Sequence, residues 1–326
     1  MEDINFFMSH QSNSCEIGII GGGPAGLTAA IYASRARRKT IIFEQIGSGG
    51  QILITYLIEN YPGFPDGISG YELGQLFENQ AKRFGTEIVL ASASGLKIGH
   101  PYHTIITDKG EFICGAIIIA SGASHRKLNV PGEKELEGRG VSYCGTCDAM
   151  FFKGKEVVVI GGGDAAIDEA IFLTKFVSKL TVVHRRDKLR AAKIIQERAF
   201  ANPKINYMWD SIITEILGDT EKGVRGVKVK NNMTGEESIF PTGGVFVFIG
   251  HTPNSSFLPP EIEKAPDGTL ITNFKMETNI KGIYAAGDIR RDTIRQIITS
   301  AGEGATAGFY ADKYLETLKE RMKDEG

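Results

Sequence analysis

The sequence predicts an α/β fold of two Rossmann-like units (three-layer, ββα/βαβ), the second inserted into the first, and three observations predict it. A glycine-rich turn, Gly21–Gly26, follows a β-like run and opens a helix-like one. A second, Gly161–Ala166, repeats that context 140 residues later. A third β-like run near Ile283 leads into a long helix-like segment but has no such turn of its own. At 326 residues the chain is long enough for two cores.

In the first unit, the apolar run Glu16–Ile20 precedes Gly21-Gly22-Gly23-Pro24-Ala25-Gly26, and Leu27–Arg37 has helical character. Strand, glycine turn and helix in that order form a dinucleotide fingerprint. The first glycine makes the tight turn, the second admits a pyrophosphate, the third position lets helix and strand pack closely, and the helix N-terminus attracts the anion. Thr40–Phe43 then leads into Glu44, 18 residues after Gly26. A carboxylate at that strand end accepts hydrogen bonds from ribose hydroxyls and repels a 2′-phosphate, which suits FAD or NAD.

In the second unit, Glu156–Ile160 precedes Gly161-Gly162-Gly163-Asp164-Ala165-Ala166, followed by the helix-like Ile167–Val177. Eighteen residues after Ala166 stands His184 instead of an acid, with Arg185, Arg186 and Arg190 close behind. Guanidinium forks match a phosphate, so this site reads as one for NADPH; a solvated basic strand end is the alternative. The tail, Gly282–Asp288 and then Arg295–Arg321, supplies a strand and a helix that complete the first unit. This gives a discontinuous FAD domain, 1–122 and 252–326, around an NADPH domain, 123–251, with hinges at Ala120–Lys127 and Gly250–Asn254.

The chemistry concentrates at Cys144-Gly145-Thr146-Cys147-Asp148, placed at or just before a helix start, where a thiol is acidified. Zinc would need four ligands, and neither a second Cys-x-x-Cys nor a clustered His pair accompanies this one, so no metal is expected. Two inert buried thiols are the remaining alternative. Beside two dinucleotide sites a redox disulfide has a use: hydride passes from nicotinamide to flavin, and electrons pass from flavin to disulfide. Asp148 can donate a proton to a departing thiolate or cap a helix, and the two roles are compatible. Cys15 and Cys114, in apolar runs, read as small buried hydrophobes.

A net charge of -2 gives no basic field for nucleic acid. No apolar run of about 18 residues suggests a membrane span, and the first residues lack the basic region of a signal peptide. A cytoplasmic location is the expectation.

Over Glu16 to about Leu318 these segments resemble the low-molecular-weight thioredoxin reductases. The resemblance implies FAD contacts at Gly21, Gly23, Pro24, Ala25, Gly26, Glu44, Gly50, Gln51, Asn60, Ala120 and Gly122. It implies further FAD contacts at Gly287, Asp288, Arg295, Gln296 and Ile297, with Asp288 on the ribitol. It assigns NADPH to Gly161, Gly163, Asp164, Ala165, Ala166, His184, Arg185, Arg186 and Arg190. By the same likeness Cys147 faces the flavin, Cys144 attacks the disulfide of thioredoxin or a thioredoxin-like protein, and the protein is a homodimer that alternates between two domain orientations. The motif departs from the family's usual one at Gly145 and Ala149, where Ala and Gly are common. A peroxide-system flavoprotein would carry a long N-terminal dithiol domain, oxygen-dependent dithiol oxidases differ at the second nucleotide site, and ferredoxin-linked relatives lack the cysteine pair. A flavin-binding scaffold without turnover is the non-enzymatic alternative.

Overall fold

The computed structural model describes residues 13–54, 58 and 60–324. The expectation that the first residues form no signal peptide concerns residues 1–12, which lie outside them. The chain divides into two compact units: Met1–Ile54, Tyr61–Ser124 and Thr252–Gly326 form one, and Thr55–Asn60 with His125–His251 form the other.

The first unit opens with β1 (Ser14–Ile20), α1 (Pro24–Arg35), β2 (Thr40–Glu44), α2 (Gly70–Arg83) and β3 (Glu87–Leu90). A meander of β4 (Ala93–Lys97), β5 (His103–Thr107) and β6 (Gly110–Ile119) follows. They form one sheet in the order β3-β2-β1-β6-β5-β4, and β6 organises it. One edge of β6 pairs in parallel with β1 over residues 113–119. The other edge is shared, antiparallel with β5 at residues 110–114 and parallel with β17 (Ile283–Ala285) at residues 117–119. The C-terminal strand thus enters the first sheet, and α6 (Ile297–Asp324) runs on from it. Ile117, Ile118 and Ile119 are fully buried, as a parallel strand covered on both faces requires.

The chain crosses between units on β7 (Ala123–His125) and returns on β16 (His251–Pro253), and these two strands pair with each other. The second unit contains β8 (Val141–Ser142), α3 (Gly145–Asp148), β9 (Glu156–Ile160), α4 (Asp164–Leu173), β10 (Lys179–Val183), α5 (Lys193–Phe200) and β11 (Ile205–Met208). An antiparallel sheet of β12 (Ser211–Asp219), β13 (Gly223–Asn231) and β14 (Glu237–Pro241) then precedes β15 (Val245–Val247). The parallel sheet runs β11-β10-β9-β15-β8. Val157, Val159, Leu180, Val182 and Phe246 face α4 residues Ile167, Ala170 and Leu173 in one core.

Two of the predicted helices end or begin differently from the sequence pattern. α4 stops at Leu173, not Val177, because the amides of Lys175 and Phe176 donate to carbonyls three residues back, Phe172 and Leu173, and tighten the chain into turns. α6 starts at Ile297, not Arg295, since Arg295 holds a left-handed φ of 57° that no α-helix continues.

Cys15 and Cys114 are register partners on β1 and β6, fully buried, with sulfurs 3.3 Å apart. Burial pushes the Cys114 thiol well up, and both sulfurs are closed off from a reagent in solution. Native protein oxidised at its other cysteines is expected to show no fast-reacting thiol with a chromogenic disulfide reagent, and two after denaturation. A thiol that reacts within seconds in the native protein would contradict this burial.

Candidate active site

The first glycine turn is shaped by what it must avoid. Gly21 has φ 104°, and a Cβ there would run into the Ala120 backbone; one at Gly26 would strike the Gly21 carbonyl. α1 therefore sits close against β1, and Gly23 caps it without a side-chain hydrogen bond. Pro24 opens α1 without an N–H of its own, which leaves the amides of Ala25 and Gly26 for an anion. Glu44 closes the opposite side. Its Oε2 accepts the Gly22 amide at 2.6 Å and its Oε1 accepts those of Gln45 and Ile46. Gly49 donates to the Gly22 carbonyl, and a Cβ on Gly50, at φ 60°, would lie 3.1 Å from Gly23. Gln51 donates to the Ala123 carbonyl.

Gly287 and Asp288 reach the same turn. A Cβ on Gly287 would sit 2.9 Å from the Ala25 methyl, and its amide donates to Glu303 at 2.7 Å. Asp288 accepts from the Ser300 hydroxyl, and burial raises its pKa. Gln296 donates its amide to Thr299 Oγ1 just before Ile297 opens α6. Of the residues expected on this site, Gly21, Gly23, Pro24, Ala25, Gly26, Glu44, Gly50, Ala120 and Gly287 converge on one turn. Gly122 lies at the crossing, where its carbonyl accepts the Asn254 amide. Asn60 falls in the short segment that groups with the other unit.

The second turn has the same construction. Val183 pairs with Ile160 as Phe43 pairs with Ile20, so His184 and Glu44 occupy equivalent strand ends. Gly163 caps α4 without a side-chain hydrogen bond. His184 is buried with its ring against Gly162, where any Cβ would overlap it, and burial lowers its pKa. The following loop is tied down by its backbone: Arg190 and Ala191 donate to the Gly162 carbonyl, and Asp210 donates to that of Arg186. Arg185, Arg186 and Arg190 keep exposed side chains. Asp164 has a structural task that its place near phosphates did not suggest, since its Oδ1 accepts the Ala192 amide at 2.6 Å and pins that loop to the turn.

Cys144 and Cys147 form a disulfide, Cα to Cα 5.3 Å, across the single turn α3. Cys144 is the cap residue, and its Sγ accepts the Cys147 amide at 3.2 Å. That contact would favour a Cys144 thiolate after reduction. Ala149–Phe152, helix-like in sequence, is a 3-10 turn. Asp148 makes no capping hydrogen bond to it. Its carboxylate instead accepts from the Ser142 hydroxyl at 2.7 Å, while burial raises its pKa against that bond. Ser142 also receives the Cys144 amide, so one hydroxyl fixes both the acid and the first cysteine.

Two residues here were not legible in the motif: Ser142, two positions upstream, and Glu169 on α4. Glu169 Oε2 is buried without a hydrogen-bond partner and occupies the space a Cβ on Gly145 would take. Burial pushes its pKa from 4.5 to about 7, opposed by the Thr146 backbone hydrogen bond and assisted by Asp168. Because the folded value is the higher, the ionised carboxylate costs stability, from about pH 4.5 upward and in full above about pH 7. Glu169→Gln should therefore be more stable than the parent at pH 8, by at most about 3 kcal/mol, with the gap closing by pH 4.5. Urea unfolding at both pH values measures it; an equal gap at both would remove the ionisation as its cause.

Among the described residues no helix is long and apolar enough to cross a membrane, and no cluster of three or more metal-ligating side chains occurs. Comparison with known proteins agrees with the geometry. The pyridine nucleotide-disulphide oxidoreductase family matches residues 16–304. Thioredoxin reductase of Listeria monocytogenes is 45% identical over 319 residues, 98% of this chain and 99% of that protein. The Bacillus subtilis enzyme of the same name is 47% identical over 305 residues, 94% of this chain and 96% of that one. The crystal structure of thioredoxin reductase from Streptococcus pyogenes superposes with a TM-score of 0.87 at 42% identity, covering 94% of this chain and all of the other. The chain belongs to the pyridine nucleotide-disulphide oxidoreductase family, among its thioredoxin reductases.

Proposed function

We propose that the protein passes two electrons from NADPH through FAD to the Cys144–Cys147 disulfide and on to the disulfide of thioredoxin. The observation that carries this reading is the disulfide itself, on a capped turn in a unit with one nucleotide turn and in a chain with a second. FAD takes hydride at its flavin and returns the electrons to a disulfide. The rest is work for this chain's residues.

The turn at Gly21–Gly26 would hold the pyrophosphate of FAD, with Glu44 turned from the Gly22 amide toward the ribose and Asp288 toward the ribitol. Gly50, Gln51, Ala120, Gly122, Gly287, Arg295, Gln296 and Ile297 complete that site, in the domain 1–122 and 252–326. Gly161, Gly163, Asp164, Ala165 and Ala166 would receive the NADPH pyrophosphate, and Arg185, Arg186 and Arg190 its 2′-phosphate, in the domain 123–251. Each donor set fits its ligand: amides of a helix start without a side-chain cap for pyrophosphate, guanidinium groups for phosphate.

One NADPH, one proton and the disulfide give NADP⁺ and two thiols. Cys144, with its sulfur on the Cys147 amide, attacks thioredoxin and forms a mixed disulfide. Asp148, held by Ser142, delivers the proton that the leaving thiolate needs. Cys147 then resolves the mixed disulfide, which restores Cys144–Cys147 and releases reduced thioredoxin. A homodimer in the cytoplasm completes the reading.

The test is NADPH consumption by purified, yellow protein against a panel of thioredoxins and small disulfides. Turnover with a thioredoxin supports the proposal. A folded protein that refuses added FAD, or oxidises NADPH without reducing any protein disulfide, overturns it.

A further inference from the structure

We propose that Glu169 is a positioning and proton-holding residue for the Cys144–Cys147 couple: its carboxyl, seated in the niche left by Gly145, takes up one proton when the disulfide is reduced. The inference rests on the reading of that disulfide as the reaction's redox centre. It begins with a polar atom without a partner. Glu169 Oε2 is shut off from solvent and makes no hydrogen bond, at the N-terminal turn that carries both sulfurs. A buried carboxylate oxygen left unpaired is costly, and the cost falls when the group is neutral. The niche exists because residue 145 has no Cβ; a methyl there would overlap that oxygen.

The neighbours determine the direction of the effect. The Thr146 backbone hydrogen bond favours the ionised form, whereas burial and Asp168, on the same helix, oppose it. From the redox turn come Asp148, whose own acidity burial weakens, and the two cysteines, which carry no charge as a disulfide. Reduction changes only the last of these. Two electrons and one proton convert the neutral disulfide to one thiol and one thiolate, and the new negative charge lies on the turn against which Glu169 packs. A like charge disfavours a second one, so the carboxylate binds a further proton, and two protons accompany two electrons in all. NADPH supplies the electrons and one proton as hydride; the other proton comes from solvent. A neutral carboxyl would then no longer repel the attacking thiolate.

The experiment equilibrates the FAD-loaded protein with oxidised and reduced dithiothreitol from pH 6 to 9, then traps thiols by alkylation and counts them by mass. Just above pH 7, the ratio of the parent's equilibrium constant for reduction to that of Glu169→Gln should fall by up to tenfold per pH unit, the signature of one additional proton. Gly145→Ala, whose methyl displaces the carboxylate, should lose the steeper dependence in the same way. A purely structural Glu169 would shift stability but leave the pH profiles parallel, and parallel profiles overturn the proposal. A separate arm adds NADPH to the parent protein alone. If the Cys144–Cys147 disulfide is reduced there while the profiles are parallel, only the role of Glu169 fails; if it stays oxidised, the functional reading fails with it.

Discussion

Cys144→Ser and Cys147→Ser are each expected to reduce thioredoxin turnover by a factor of about 10³ or more, because neither single thiol can close the disulfide that the cycle requires. NADPH should still bleach the FAD absorbance of both variants anaerobically, since that transfer precedes the cysteines. The two differ in what they trap. Cys147→Ser keeps the sulfur that accepts the 147 amide and lacks the resolving thiol, so it should accumulate a mixed disulfide with thioredoxin. Cys144→Ser should not. Non-reducing electrophoresis after mixing with oxidised thioredoxin distinguishes them, and a stable adduct with Cys144→Ser alone would exchange the two roles.

The sequence made the two glycine turns legible for a physical reason. Each is local: strand, glycine and helix start are contiguous, and backbone sterics at Gly21 and Gly26 allow few other residues. The count of 18 residues to Glu44 and His184 also held, because both units pair their first and second strands in the same register. What was not legible depends on distant chain. Ser142 binds Asp148 because β8 pairs with β15, about a hundred residues later in the sequence, and no spacing rule encodes that. Glu169 lies 24 residues beyond Gly145, on a helix whose pattern marks only its apolar face. The reading of Asp148 as helix cap or acid was open in the sequence, since both use the same residue in the same place. The geometry removes only the cap: that hydrogen bond is absent, and the carboxylate accepts from Ser142 instead. The helix ends at 173 and 297 were misplaced because apolar periodicity does not register a turn closed by Phe176 or a left-handed Arg295.

Coenzyme choice is the other large effect, and it follows from the arginines after β10. NADPH should be strongly preferred over NADH. The loop backbone is held by the Gly162 carbonyl and by Asp164, so Arg185, Arg186 and Arg190 are presented from a fixed frame, with their side chains exposed. A fixed frame matters because a phosphate gains most from donors that lose little freedom on binding. Each hydrogen bond to a charged group contributes about 1.5 to 3 kcal/mol where water is excluded, and less at an exposed edge. As about 1.4 kcal/mol is a factor of ten, two arginines supply roughly a hundredfold preference after that discount. Arg185→Ala with Arg186→Ala should therefore raise KM for NADPH steeply, by about that factor, and leave KM for NADH nearly unchanged. The loss should shrink at high salt, where ions already screen the exposed guanidinium groups. Asp164→Asn offers a further check on the frame: weakening the bond to the Ala192 amide should loosen the loop and raise KM for NADPH while all three arginines are retained. Steady-state kinetics with both coenzymes decide the matter, and an unchanged NADPH to NADH ratio in the double variant would reduce the three arginines to a solvated strand end.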